Sequence, residues 1–264
     1  MRVLDNGGWG STETLIVDGP PALDDLVEHT WIDDRRQRVQ LPRQYRIVPD
    51  TAPHLIAALV RGDDALQLRA VLVGARTHHI DIDASRRILT VGVRLRPGAL
   101  PSLGIRHADL LTDSSRALSH LSPRSTAVLR QLAQHGDARA IADELHSHVR
   151  AMYRRPVDGR AAQLFHAPLG LTGMSRRRER SLGLGDRGAR AWASRTAGMS
   201  LRQFQSIRRL HEALLHHIAH PELTWSRVAA LAGYADHSHL IRDCRKLLGE
   251  TPARFARRAD SFKT

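Results

Sequence analysis

The side chains best suited to chemistry lie together near the C-terminal end of the chain. On a helical wheel of residues 236–248, one face carries hydrogen-bond donors and positive charge and almost nothing apolar. The members of that face and its flanks are Ser238, Arg242, Arg245, His239 and Lys246. Guanidinium and hydroxyl groups donate to phosphate oxygens and to base edges. The pattern predicts contact with nucleic acid, although a merely solvated cationic helix would carry the same charge.

The elements around this face indicate how it is positioned. Thr224 is a helix N-cap, and the helix that it begins ends before Gly233. Asp236 caps a second helix that reaches about Leu248 and turns an apolar stripe inward, formed by Leu240, Cys244 and Leu247. Two short helices around a sharp glycine corner are typical of a helix-turn-helix unit, whose second helix enters the major groove of DNA.

An imperfect internal repeat of about 50 residues supports this interpretation. A glycine, an acidic cap, a helix-length segment, a second glycine, a Ser or Thr cap and a phenylalanine recur in the same order. The first copy runs through Gly183, Asp186, Gly198, Ser200 and Phe204, and the second through Gly233, Asp236, Gly249, Thr251 and Phe255. Between the two units, Ser200 and Gln203 form a capping box that predicts a long amphipathic helix over about 201–219, with an apolar stripe that ends at Ile218.

Residues 232–245, closing on the Gly-Glu-Thr-Pro-Ala-Arg-Phe segment 249–255, resemble the AraC/XylS family of transcription regulators. The resemblance implies a DNA-binding domain with helix-turn-helix units at about 174–198 and 224–248. Together with the wheels, it predicts nine DNA contacts: Arg187, Arg190, Ser194, His237, Ser238, His239, Arg242, Arg245 and Lys246. Cys244 stands where the family usually has phenylalanine, and Ala193 stands where a large aromatic is usual.

The first hundred residues are predicted to be strands, with helical spacing from about Leu110. Residues 48–51, 73–77 and 93–98 are similar to the sensory half-cupin domains of some AraC/XylS members. That resemblance implies a small β-barrel with a pocket. We therefore predict an α+β chain of three parts: a β-rich sensory domain at 1–112, a helical connector at 113–156 and an all-α DNA-binding domain at 157–264. A packing or dimerisation module without a ligand stays an alternative for 1–112.

The charge distribution favours a polyanionic partner for the C-terminal part. The net charge is +13. Residues 157–264 hold 19 Lys and Arg against 9 Asp and Glu, whereas residues 1–156 hold 21 against 18. A single cysteine excludes an intramolecular disulfide and favours a reducing compartment. The chain has no signal-peptide pattern and no run of 18 apolar residues, so we expect a cytoplasmic protein without a membrane partner.

Catalytic and metal-binding patterns are weak. His211 and His216 are five residues apart and do not share a helix face, whereas His216 and His220 have ligand spacing but lie at a helix end. No nucleophile elbow, P-loop or dinucleotide motif is present. We expect double-stranded DNA as the partner, no cofactor and no enzymatic activity. A metal-binding cupin-type enzyme fused to a DNA-binding domain and a non-specific architectural protein stay alternatives. The sequence leaves open a small-molecule effector, RNA polymerase and a homodimer.

Overall fold

A computed structural model describes the chain in five segments, residues 14–36, 44–83, 85–120, 123–166 and 186–260. Strands occupy the N-terminal part and helices the C-terminal part, so the predicted α+β class is confirmed. No helix in these segments is long and apolar enough to span a membrane.

Strands of the described residues form two sheets. Their bounds are β1 Leu15–Val17, β2 Val27–Asp34, β3 Gln44–Ile47, β4 His54–Arg61, β5 Leu66–Val73, β6 Ile80–Asp83, β7 Arg87–Leu95 and β8 Ser115–Ala117. Six strands make one antiparallel sheet in the order β1-β2-β7-β4-β5-β8. Strands β3 and β6 pair with each other as a separate two-stranded ribbon.

The six-stranded sheet has two different faces because side chains alternate along each strand. In β4, Leu55, Ala57 and Leu59 are buried in a core that helices complete, whereas Ile56 and Ala58 line a cavity on the opposite face. The covering helices are α1 (Pro123–His135) and α2 (Ala138–Met152). The ribbon lies across the cavity from the sheet.

The segment predicted as a helical connector, 113–156, packs into the core of the N-terminal part. Its residues Leu129, Ile141 and Leu145 are buried in one cluster with the sheet. Strand β8 of the same segment pairs with β5. Asp137 caps α2 by accepting from the amides of Arg139 and Ala140. The limits of the three predicted parts stay a prediction.

Six helices of the described residues form the C-terminal part. They are α3 Gly159–Phe165, α4 Asp186–Ala197, α5 Leu201–Ala219, α6 Trp225–Leu231, α7 His237–Leu248 and α8 Pro252–Asp260. The predicted capping box of Ser200 and Gln203 is confirmed, as are the caps formed by Thr224 and Asp236. The long helix α5 has the predicted limits. The prediction was wrong for Ile218, which is 41% exposed because α5 continues past the core at its C-terminal end.

Candidate nucleic-acid interface

Helices α6 and α7 meet at a sharp corner that local chemistry explains. Gly233 adopts φ +74°, a left-handed conformation that L side chains rarely tolerate. The amide of Tyr234 donates to the carbonyl of Ala229 at 2.9 Å and closes the end of α6. Tyr234 is buried, and its ring meets the ring of His239 edge to face at 5.1 Å. The corner therefore fixes the start of α7 and one of its polar side chains.

The predicted inner stripe of α7 is confirmed, since Leu240 and Cys244 are completely buried and Leu247 is 5% exposed. The opposite face presents donors to solvent. Its exposed members are Ser238, Arg242, Arg245 and Lys246, and His237 and His239 are half-buried. Burial raises the pKa of the Cys244 thiol to about 12, with Asp243 acting in the same direction. Cys244 is thus a neutral core residue at physiological pH.

A polar contact joins α7 to the long helix α5. The hydroxyl of Ser206 on α5 donates to Oδ2 of Asp243 on α7 at 2.8 Å. Arg209 Nη2 lies 3.9 Å from the same carboxylate oxygen. Phe204, Ile207 and neighbouring apolar residues of α5 are buried in the same core as α7. The helix that presents the exposed face is therefore joined to α5 by a hydrogen bond and a shared apolar core.

In the first unit, the predicted reading helix corresponds to α4. Arg187 and Arg190 are exposed, and Ser194 is half-buried. Ala189 and Ala193 face inward as predicted, with 6% and 0% exposure. The rest of the predicted unit, residues 174–185, lies outside the described residues.

Helix α3 supplies an aromatic side chain that the sequence interpretation missed. The ring of Phe165 stacks on that of Trp192 at 5.6 Å with planes 5° apart, and lies 4.8 Å from the ring of Phe204. Phe165 is 1% exposed and shares the core that contains Ala193. A bulky side chain from another helix thus belongs to the same core as the small Ala193. The available signals were the Asp158 cap and the helical apolar spacing that follows it.

The internal repeat corresponds to a structural repeat. Gly198 and Gly249 follow α4 and α7 with φ values of +79° and +75°, so both helices end in the same left-handed turn. The repeated phenylalanines, Phe204 and Phe255, are both buried. Matching backbone turns and core anchors therefore flank the two predicted reading helices.

A cavity of about 360 Å³ lies between the six-stranded sheet and the ribbon. Its apolar lining includes Trp31, Ile47, Ile56, Val71, Ile80 and Ile82, and its charged lining consists of Arg69, Arg76, Arg86, Arg87 and Asp83, so cations outnumber the carboxylate. Gly92 makes room for Trp31, because a Cβ there would lie 2.2 Å from the indole ring. Burial lowers the pKa of Arg76, partly offset by Asp113. The lining is suited to a small apolar molecule with an anionic group.

A buried polar network begins at the wall of this cavity. The Trp31 indole N–H donates to His54 Nδ1 at 3.3 Å, and His54 Nε2 lies 2.8 Å from Oδ2 of Asp50. Arg94 Nη2 donates to Asp50 Oδ1 at 2.6 Å. Burial disfavours ionisation of Asp50, but Arg94 and His54 outweigh it and hold the pKa of Asp50 below its usual value. The network keeps a charged carboxylate inside the domain.

The three half-cupin-like segments meet the DNA-binding helices. Val48 and Ala75 are buried in the C-terminal core. His211 Nε2 lies 2.7 Å from the carbonyl oxygen of Pro49 and joins α5 to the first segment. A Cβ on Gly98 would lie 2.9 Å from Ala161 Cβ, so the third segment touches α3. These segments therefore contribute to the contact between the two parts of the chain. The half-cupin resemblance itself stays a prediction.

The histidines considered as metal ligands are dispersed. His211 is buried at the contact with Pro49, whereas His220 lies 3.4 Å from Glu222 at the exposed end of α5. Within the described segments, no group of three or more His, Cys, Asp or Glu side chains is arranged to hold a metal ion.

Comparisons with known proteins identify two domains by sequence. Residues 179–258 match the family described as helix-turn-helix domain, which is a family of transcription regulators and not of enzymes, and residues 17–116 match a domain of unknown function (DUF6597). No curated protein matches the chain.

Solved structures of ToxT from Vibrio cholerae are similar in shape. An apo ToxT variant has a TM-score of 0.44 and 11% identity over 86% of this chain and 96% of that chain. ToxT bound to (E)-4-(8-methylnaphthalen-1-yl)but-3-enoic acid has a TM-score of 0.44 and 10% identity over 87% and 97%. ToxT bound to an unsaturated fatty acid has a TM-score of 0.42 and 11% identity over 97% and 96%.

Proposed function

The chain carries an AraC-type helix-turn-helix domain at residues 179–258, and from this premise we propose that it is a sequence-specific transcription regulator controlled by a small effector. The observation that carries the proposal is the exposed donor face of α7, on a helix that is hydrogen-bonded to α5. In a helix-turn-helix, the second helix reads base edges in the major groove with such side chains. In this proposal the chain acts on DNA in the cytoplasm.

The nine predicted contact residues divide between two reading helices. In our proposal, Ser238, His239 and Arg242 of α7 contact base edges. His237, Arg245 and Lys246 contact phosphates. On α4, the DNA contacts are made by Arg187, Arg190 and Ser194. Helix α5 has 19 residues and spans about 28 Å at 1.5 Å per residue. Since successive major grooves on one side of DNA are about 34 Å apart, one chain reaches both grooves if the DNA bends modestly.

Fluorescence anisotropy tests this function with duplexes from the upstream region of the gene and a scrambled duplex, at two salt concentrations. Specific binding exceeds scrambled binding by at least about 10³ in affinity. Arg242→Ala reduces specific affinity by about 5- to 150-fold, equivalent to about 1–3 kcal/mol for a bidentate base contact. Arg257→Ala removes the same charge at an exposed position of α8 and serves as the matched control.

Two outcomes contradict the proposal. Equal, steeply salt-dependent binding to every duplex indicates phosphate attraction alone, which is the behaviour of an architectural protein. Equal losses in Arg242→Ala and Arg257→Ala indicate that α7 contributes charge and no base contact.

The effector site of the proposal is the cavity between the sheet and the ribbon. Apolar walls exclude water from a hydrocarbon or aromatic group, and the arginines at the cavity pair with an anionic group. We use 8-anilinonaphthalene-1-sulfonate as the probe, because it combines aromatic rings with one anionic group. Its fluorescence rises with the wild-type chain and is lost in Ala58→Phe, which fills the cavity. Ala65→Phe, in the exposed β4–β5 turn, retains it. Equal fluorescence in all three proteins refutes the assignment.

RNA polymerase and a second copy of the chain remain candidate partners in this proposal. Binding of polymerase is tested by co-migration of the purified protein with polymerase on the specific duplex. Association of two copies is tested by the mass of the purified protein in solution.

A further inference from the structure

The ribbon, defined as Gln44–Ile47 and Ile80–Asp83, contacts the C-terminal end of the reading helix α7. Arg46 Nη1 donates to the carbonyl of Leu248 at 2.6 Å, and the amide of His79 donates to the carbonyl of Leu247 at 3.1 Å. The last carbonyls of a helix have no donor within the helix, and the negative end of its dipole attracts a cation. The ribbon and His79, the residue just before its second strand, therefore supply donors that α7 itself lacks.

The guanidinium of Arg46 is oriented from across the ribbon. Arg46 and Asp81 are direct partners in the β3–β6 register. Arg46 Nε lies 2.7 Å from Asp81 Oδ1, and Arg46 Nη2 lies 2.7 Å from Asp81 Oδ2, so the pair is bidentate. Nη1 is left to contact Leu248 and, at 3.4 Å, Glu250. Asp81 is thus a positioning residue for the contact with α7.

The opposite face of the same ribbon forms a wall of the cavity. Ile47 and Ile80 are the next pair in the register, and both line the cavity together with Ile82. Successive side chains of a strand point to opposite faces. A displacement of the isoleucines by a molecule in the cavity therefore also displaces Arg46 and Asp81.

The other reading helix is also contacted at its C-terminal end. The hydroxyl of Thr112 donates to the carbonyl of Gly198, which ends α4 as Gly249 ends α7. The next residue, Asp113, accepts from the amide of Thr77 at 2.7 Å. Thr77 follows Arg76, which lines the cavity. The short segment between β5 and β6 therefore connects the cavity to the ends of both helices.

From these contacts we propose that the β3–β6 ribbon couples the cavity to the reading helices, holding the C-terminal end of α7 in the position that binds DNA until a molecule in the cavity displaces it. The inference rests on the proposed function. The contacts lie at the C-terminal end of α7, whereas base contacts are made near the N-terminal end of a reading helix. The hold is compatible with DNA binding and reduces the entropy lost on binding.

The substitution Asp81→Asn distinguishes the positioning of Arg46 by Asp81 from a general effect of net charge on DNA affinity. Removing a negative charge strengthens DNA binding if charge alone matters. If Asp81 positions Arg46, the substitution weakens specific binding by about tenfold, equivalent to 1.4 kcal/mol and typical of one hydrogen bond. Arg46→Ala weakens binding by at least as much. Arg116→Ala removes an exposed arginine from β8 and is the charge-matched control for Arg46→Ala.

Hydrogen exchange of the His79 amide tests the coupling without DNA, because that amide donates to α7. Its exchange accelerates in Asp81→Asn and in Ala58→Phe, which fills the cavity from the sheet side, and stays at the wild-type rate in Ala65→Phe. In Arg46→Ala, the further substitution Ala58→Phe has no additional effect on DNA affinity.

The inference is overturned by either of two results. One is that Asp81→Asn binds the specific duplex as tightly as wild type or more tightly. The other is that the His79 amide exchanges at the same rate in Ala58→Phe as in wild type. Failure of the proposed function is a separate result, in which wild type distinguishes no duplex, and the exchange measurement still decides whether the ribbon responds to the cavity.

Discussion

Replacement of Phe165 by alanine is the sharpest test of how the first reading helix is supported. The ring is 1% exposed and contacts the rings of Trp192 and Phe204. Loss of a buried phenylalanine ring costs about 3–5 kcal/mol. Since whole-domain stabilities are about 5–15 kcal/mol, a loss of this size opens α4 locally before the rest of the chain unfolds.

The matched control is Phe255→Ala, which removes an equally buried ring from α8, the helix that packs against α7. Native-state hydrogen exchange compares amides of 189–197 with amides of 240–248. We expect Phe165→Ala to accelerate exchange mainly in 189–197, and Phe255→Ala to accelerate it mainly in 240–248. On specific DNA, Phe165→Ala then loses the contacts of α4 and keeps those of α7.

Two results would refute this reasoning. Uniform acceleration in both segments by either variant means that the two units unfold together and that Phe165 has no local role. Unchanged exchange of 189–197 in Phe165→Ala means that α4 does not depend on the ring that stacks on Trp192.

Three further predictions concern single residues. Gly249→Ala destabilises the chain by about 1–2 kcal/mol, because alanine at φ +75° is strained and its Cβ would lie 2.7 Å from His79 Cε1. In a His79→Ala background, urea unfolding shows a smaller loss of stability for the same change. An equal loss in both backgrounds would exclude the contact with His79. Burial lowers the pKa of His211, so folding favours its neutral form. The contribution of His211 to the free energy of unfolding is therefore fully present above about pH 6.5, where the imidazole of the unfolded chain loses its proton. Below that pH the contribution falls by at most about 1.4 kcal/mol per pH unit. Urea unfolding at pH 7.5 and 5.5 shows a smaller difference for His211→Gln, and an unchanged difference contradicts the assignment. Cys244 resists iodoacetamide in the native chain and reacts fully in urea, as mass spectrometry measures; rapid native alkylation would contradict its burial.

Local features of the C-terminal part could be predicted from the sequence because they depend on residues close together in the chain. The caps at Ser200, Thr224 and Asp236 are hydrogen bonds to the amide three residues further along the chain. The inner stripe of α7 follows from the helical period, and the left-handed turn at Gly249 follows from the freedom of glycine. These rules fix a helix and its faces without knowledge of the rest of the fold.

Contacts between distant segments required the tertiary structure. Phe165 reaches Phe204 from a helix that lies 39 positions earlier, and Arg46 contacts Leu248 over a separation of 202 residues. Periodicity identifies a buried face but does not identify its partner, which depends on how the chain as a whole minimises exposed apolar surface. The cavity and the two-faced ribbon arise in the same way, since the alternation in a strand predicts two faces and only packing decides that one meets the cavity and the other meets α7.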